Sequence, residues 1–347
     1  MNKFKTYIVI ATAMLLWTAC SHDYHNQKAE KTLSIDLSTA QPLMQNIMGL
    51  KAVRLNDSIA EHFPGSVSKF YAERDTLYIL DSFKDQGLYR YNGDHHLAAG
   101  YSKRGQGPDE FLSAKDFALN SDGITMIDGY HPEGKLIHLD RNCNFISSET
   151  LDFRPDHLYY DKKGGVWFDN GNNTFGDVSD KLVYMKDGKK KSVLSIPDEI
   201  ADVTFAPPYV FAEYSADTIL YLPPVENIIY KCADGRAIPW IQLDFNGKWP
   251  EFDNKEKHEH PMELVKRIAE NGLVNFVNIF TDKDDLLVNF TAGEYNYLYL
   301  TDYAGTYQKV YSYPKEFKEK VGTPNAYTDG RIVFAKPGSI VSIIPKL

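Results

Sequence analysis

Short apolar runs opened by an Asp or Gly turn recur along this chain. Asp75-Thr-Leu-Tyr-Ile-Leu-Asp81 returns as Asp122-Gly-Ile-Thr-Met-Ile-Asp128 and Gly164-Gly-Val-Trp-Phe-Asp169. It returns again as Asp217-Thr-Ile-Leu-Tyr-Leu222, Asp284-Asp-Leu-Leu-Val-Asn289 and Asp329-Gly-Arg-Ile-Val-Phe334. A second apolar run follows each, from Gly87-Leu-Tyr-Arg-Tyr-Asn92 to Ser339-Ile-Val-Ser-Ile343. Turns such as Asp187-Gly188 supply the positive φ angles of tight hairpins, so each repeat is an antiparallel meander. Apolar residues stand at consecutive positions, as in Leu77-Tyr-Ile-Leu80, so both faces of each sheet are to be buried. One meander cannot cover both its faces, whereas six stacked around an axis can. The step from 75 to 122 is 47 residues, a period that predicts a radial β array. The expected fold is all-β: a six-bladed β-propeller of four-stranded antiparallel blades, spanning residues 41–347.

One step is longer, 67 residues from 217 to 284. The added segment holds Met262, Val265, Ile268 and Ala269 at helical spacing, with Asn271-Gly272 as a stop. It predicts one helical insertion between blades four and five, packed on an edge or serving as a lid. Repeat six ends at Leu347 with too few strands of its own, so Leu50–Leu55 is expected to close the ring.

The start of the chain follows a different pattern. Lys3 and Lys5 precede an apolar run, Tyr7–Trp17, too short to span a bilayer comfortably. It ends in Trp17-Thr-Ala-Cys20, which resembles the lipobox of bacterial lipoproteins, with Trp17 in place of the usual Leu. Residues 1–19 read as a lipoprotein signal peptide, Cys20 as the lipidation site, and 20–40 as a flexible tether. The expected location is the cell envelope, lipid-anchored at the outer membrane, on either face. Membrane contact is expected through the anchor alone. Of the 3 cysteines, Cys143 and Cys232 then remain in separate blades, as free thiols. The net charge of −9 becomes −11 without Lys3 and Lys5. That lacks the basic footprint of nucleic-acid binding.

The sharpest local motif is Tyr101-Ser-Lys-Arg-Gly-Gln-Gly-Pro-Asp-Glu-Phe111, where the chain passes from blade one to blade two. Its Gly105, Gly107 and Pro108 suit a tight turn, and it lacks the Lys-Ser/Thr ending of a phosphate loop. A G-x-G-P-G-E-F crossover within an NHL-like propeller, behind a lipoprotein signal, is similar to the six-bladed β-propeller lipoproteins of Bacteroidetes. Asp109 stands where that pattern has Gly. The resemblance covers nearly the whole mature chain and implies fold and compartment, not an activity.

Loops between the second and third strands ring one mouth of a propeller's channel, and loops on rigid scaffolds commonly carry function. The candidate ligand-binding residues are therefore Arg104, Glu110, Tyr130, His131, Asn170, Glu294 and Tyr295. The expected role is a monomeric, non-catalytic binding or scaffold protein for a glycan, peptide or envelope protein, with no cofactor. The alternative is a metal-dependent enzyme of the lactonase or lyase type. It would need a divalent metal in the channel, held where His131, Asp128, Asp169 and Glu294 converge. The His258-Glu-His260 pair is a second metal candidate without a clear third ligand.

Overall fold

A computed structural model describes residues 28–56, 64–131, 133–174, 179–203, 207–252 and 261–346. The signal segment, Cys20 and the His258-Glu259-His260 pair lie outside the described residues.

Six antiparallel sheets follow one another along the chain. Blade 1 comprises Lys69–Glu73, Thr76–Asp81, Gly87–Tyr91 and Leu97–Tyr101. Blade 2 comprises Ala114–Leu119, Ile124–Asp128, Lys135–Leu139 and Phe145–Thr150. Blade 3 comprises His157–Tyr160, Val166–Asp169, Asp180–Lys186 and Lys189–Ser195. Blade 4 comprises Phe211–Ser215, Thr218–Tyr221, Ile228–Ala233 and Arg236–Asp244. Blade 5 comprises Val274–Asp282, Asp285–Ala292, Tyr295–Asp302 and Gln308–Pro314.

Blade 6 has three strands of its own, Thr323–Thr328, Arg331–Lys336 and Ser339–Pro345. Its fourth is Ile47–Arg54, paired antiparallel from Ser339↔Arg54 to Pro345↔Ile47. This is the ring closure expected of that segment. The apolar runs explain the stacking. Separate buried clusters join blades 1 and 2, 2 and 3, 3 and 4, 4 and 5, 5 and 6, and 6 and 1. Six interfaces close a ring of six.

Two features depart from the sequence-based picture. The segment 20–40, expected as a tether, is structured from residue 31. Lys31–Ser34 adds a parallel fifth strand to blade 4, and Gln41–Pro42 does the same for blade 5. Leu33 and Ile35 enter the core between blades 4 and 5, and Leu43 enters the next. Burying these side chains outweighs the entropy of ordering a short strand, and the added strands cover edges that would otherwise be open. Secondly, helix α1 (Pro261–Glu270) forms the expected insertion but buries Leu264 and Ile268. These pack on Val203, with Val225, Phe252, Val265 and Leu273 around them. A spacing of four places Leu264 and Ile268 on one stripe. A second helix, α2 (Lys315–Val321), sits between blades 5 and 6 and buries Phe317.

Cys143 and Cys232 are buried and unpaired, and burial pushes the Cys143 thiol up to about 12. No described helix is long and apolar enough to cross a membrane.

The recurring Asp that ends the second strand explains how blades are pinned. Asp81 is fully buried. Its carboxylate accepts N–H groups from Gly65 (2.8 Å), Ser66 (3.0 Å), Phe83 (2.9 Å), Lys84 (3.0 Å) and Asp85 (3.1 Å), and the Ser66 hydroxyl. Asp128 likewise accepts from Leu112 (2.9 Å) and Ser113 (3.0 Å). Burial by itself would raise the Asp81 carboxyl. The hydrogen bonds from Ser66, Lys84, Phe83 and Asp85 outweigh burial and hold it below its ordinary value of 3.8. A depressed folded pKa contributes stability that is present above the unfolded value and lost as pH falls through the folded one. Asp81→Asn is therefore expected to cost about 1.5–3 kcal/mol at neutral pH, the usual worth of hydrogen bonds to a charged group. The gap from the unsubstituted protein should close in acid, as pH falls through the depressed folded value and the unsubstituted carboxyl also protonates. Urea melts at the two pH values check this, and a gap independent of pH would refute the charge argument.

Candidate functional site

The first strands of the blades surround the axis, and among them lies a cavity of about 760 Å³. Its lining includes residues of all six blades: Lys69–Ala72, Phe117–Asp122, His157–Lys162, Tyr209–Glu213, Ile279–Thr281 and Asn325–Thr328. Asn120–Asp122, Asp161, Lys162 and Gly164 belong to turns between first and second strands. The cavity therefore opens on the face that carries these hairpins. Among the described residues, none in the loops between second and third strands contributes to its lining.

At the other end Tyr209 closes it. Tyr209 precedes the first strand of blade 4, yet its hydroxyl accepts the N–H of Phe70 in blade 1 (2.8 Å), three places round the ring. The same hydroxyl donates to Oδ1 of Asn325 in blade 6 (2.7 Å). Its N–H donates to Asn278 Oδ1 (3.1 Å), its carbonyl accepts from Ile279 (3.0 Å), and its ring lies 4.7 Å from that of Phe280 in blade 5. One buried side chain thus spans the axis and makes the cavity a blind well.

The walls carry aromatic side chains and the lining lysines are ion-paired. Tyr71, Tyr159, Tyr160 and Phe211 line the well with part of their surface open, and Phe70, Phe117, Phe280 and Tyr327 are buried in the strands around it. Burial, then the Glu73 carboxylate, raises the Tyr71 phenol; burial, then Glu213, raises that of Tyr159. Both stay neutral at physiological pH. Lys69 pairs with Asp116 (2.6 Å), and Lys162 at the rim pairs with Glu213. Asp161 accepts N–H groups of Lys163 (2.9 Å) and Gly165 (2.8 Å), which holds its own turn. A concave, largely apolar cavity with a few oriented polar groups has the make-up of a small-ligand site.

The seven residues read from the sequence lie elsewhere, and none lines the well. Glu110 accepts the N–H of Gly107 (2.7 Å), while the Lys135 ammonium bonds the carbonyls of Gly107 (2.7 Å) and Glu110 (2.6 Å). The crossover motif is thus a pinned turn. Arg104 is exposed and bridges to Phe111. Tyr130 is 70% exposed, and His131 Nδ1 accepts the N–H of Glu133 (3.3 Å) within its own loop. Asn170 is buried and donates to the Asp180 carbonyl (2.7 Å). Glu294 and Tyr295 are exposed on the hairpin of blade 5.

His131, Asp128, Asp169 and Glu294 do not meet. Asp169 is fully buried against His157 and Tyr221. Among the described residues, no three His, Cys, Asp or Glu side chains are grouped to hold a metal. The well went unread because its lining comes from first strands, whereas the second and third carry the clearer repeat. The aromatic content of Phe70-Tyr71, Tyr159-Tyr160 and Phe211 was the available signal.

The family model described as a 6-bladed beta-propeller, DUF5128, matches residues 60–327. A Bacteroides fragilis protein described as exported superposes with a TM-score of 0.72 at 15% identity, over 91% of this chain and 100% of that one. A member of the DUF4221 family from Bacteroides vulgatus gives 0.56 at 10% identity, over 86% and 96%. Virginiamycin B lyase from Staphylococcus aureus gives 0.51 at 16% identity, over 85% and 99%. At such identities these likenesses concern the fold alone. None of the curated proteins matches this chain.

Proposed function

For this chain, which belongs to the DUF5128 family of six-bladed β-propellers, we propose the role of a lipid-anchored binding protein of the cell envelope. Its ligand enters the axial well from the hairpin face. The observation that carries this reading is the blind, aromatic-walled well whose lining lysines are ion-paired. Such a lining suits an uncharged ligand, because a buried ionic group would find its natural partners already engaged. The Lys3-to-Cys20 pattern supports export and anchoring at Cys20, and the exported Bacteroides fragilis neighbour is in keeping with it. Fatty-acid labelling that survives Cys20→Ser would refute the anchor.

The site is tested by contrasting the two faces. Tyr71 is 45% exposed at the mouth of the well, and Tyr130 is 70% exposed on the opposite face. A bound ligand raises the melting midpoint by mass action. In a screen of neutral oligosaccharides, aryl glycosides and short peptides, Tyr71→Ala is expected to weaken binding about tenfold or more, roughly 1.4 kcal/mol. Tyr130→Ala is expected to leave it unchanged. The reverse result would return the site to the loops between second and third strands.

A further inference from the structure

Blade 3 uses its recurring Asp differently from blades 1 and 2. Asp81 and Asp128 bind backbone N–H groups of the chain entering their blades. Asp169, at the same place in its blade, accepts instead from Nδ1 of His157 (2.8 Å) and from the Tyr221 hydroxyl (2.5 Å). His157 is the cross-strand partner of Asp169; in blade 2 the partner of Asp128 is Ala114. An imidazole thus stands where blade 2 has a methyl group, and this imidazole lines the well.

A carboxylate at Nδ1 favours the tautomer with its proton there, in which Nε2 is an acceptor. The other charges nearby cancel. Lys69 Nζ is held by Asp116 Oδ1 (2.6 Å) and the Phe117 carbonyl (3.1 Å). The second Asp116 oxygen takes the N–H of Leu158 (3.0 Å), the neighbour of His157.

We propose that the well receives the free end of a neutral glycan, one terminal hydroxyl donating to Nε2 of His157. This rests on the reading of the well as the ligand site and names its ligand. Three observations converge on it. The aromatic walls, with Tyr71 and Tyr159 nearer the hairpin face and Phe211 nearer Tyr209, offer flat apolar surfaces to the C–H faces of sugar rings. The floor offers a ring nitrogen as a hydrogen-bond acceptor, which suits a hydroxyl. A peptide end carries a full charge that Lys69 and Asp116, already paired, would not meet. Finally, Tyr209 blocks the axis, so a chain cannot thread through and only its end can enter.

The test uses the mature chain in calorimetric titrations. The probes are linear oligosaccharides of neutral hexoses, a cyclic oligosaccharide that has no end, and peptides of similar length. At least one linear oligosaccharide is expected to bind, and the cyclic form at least about tenfold more weakly. His157→Asn retains an amide donor for Asp169 but lacks Nε2. It should weaken the linear ligand about tenfold at an unchanged melting midpoint. If that variant melts early, the linear-to-cyclic comparison on the unaltered protein decides. Equal binding of linear and cyclic forms overturns the proposal, as does full binding by a well-folded His157→Asn. Peptide binding that Tyr71→Ala abolishes, with no glycan bound, overturns the glycan end and leaves the well as the site. No binding by any probe overturns both.

Discussion

A chain that begins at residue 58 is expected to lose cooperative unfolding and to self-associate. The deletion removes Ile47–Arg54, which pairs along Ser339–Pro345 and is the outer strand of blade 6. Ser339–Pro345 then becomes an open edge, with unpaired N–H and C=O groups that invite another chain. The deletion also takes Leu33, Ile35 and Leu43 from two interblade cores. Each such side chain is worth roughly 1.5–3 kcal/mol of burial, partly offset by the entropy of ordering the segment. A chain that begins at residue 45 separates the two effects. It keeps the closing strand and loses the added strands of blades 4 and 5, so it should melt earlier but still as one unit. Urea melts followed by two probes, together with size-exclusion chromatography, distinguish the cases. A monomeric, two-state transition in the shorter chain would rule out closure by that strand.

Replacing Tyr209 with alanine is expected to destabilise the propeller by about 3–5 kcal/mol, in the range for large-to-small changes at buried aromatic positions. The side chain packs on Phe280 and bonds to Phe70 and Asn325, so its loss loosens contacts among blades 1, 4, 5 and 6. Tyr209→Phe is the sharper probe. It keeps the ring and leaves the Phe70 N–H without its buried acceptor, at a cost of about 1–3 kcal/mol. The Phe70 amide should then exchange its hydrogen faster, while amides in the outer strands of blades 2 and 3 keep their protection. Unchanged exchange at Phe70 would mean that the bridge across the axis does not hold in solution. Tyr209→Ala should also open the floor of the well and weaken whatever binds there.

The parts of this fold that were legible in the sequence are those set by local pattern. Leu77–Leu80 and its counterparts announce strands buried on both faces, and the turn residues between them announce meanders. The same logic would have placed residues 31–37 in the fold, since Leu33, Ile35 and Leu37 alternate at a strand's period. Polar neighbours on either side hid that signal. In α1 the stop at Asn271-Gly272 was readable, whereas Leu264 lay outside the stripe drawn through Met262 and Val265.

The crossover motif illustrates the limit of local reading. Gly105 to Glu110 looks functional because its composition is unusual, but Lys135, 25 residues beyond Glu110, makes it a pinned turn. Sequence spacing alone does not announce that Tyr209 reaches Phe70, 139 residues away. Nor does it announce that Asp169 turns to His157 while Asp81 and Asp128 bind backbone. By itself the sequence determined the blade count, the strand pattern and the closing of the ring, because repeated apolar runs must bury both faces and only a closed array does so. The tertiary structure alone decided which mouth is open, what plugs the other and which histidine lines the well. Those depend on side chains from distant blades meeting at the axis, where position around the ring, rather than distance along the chain, determines what touches what.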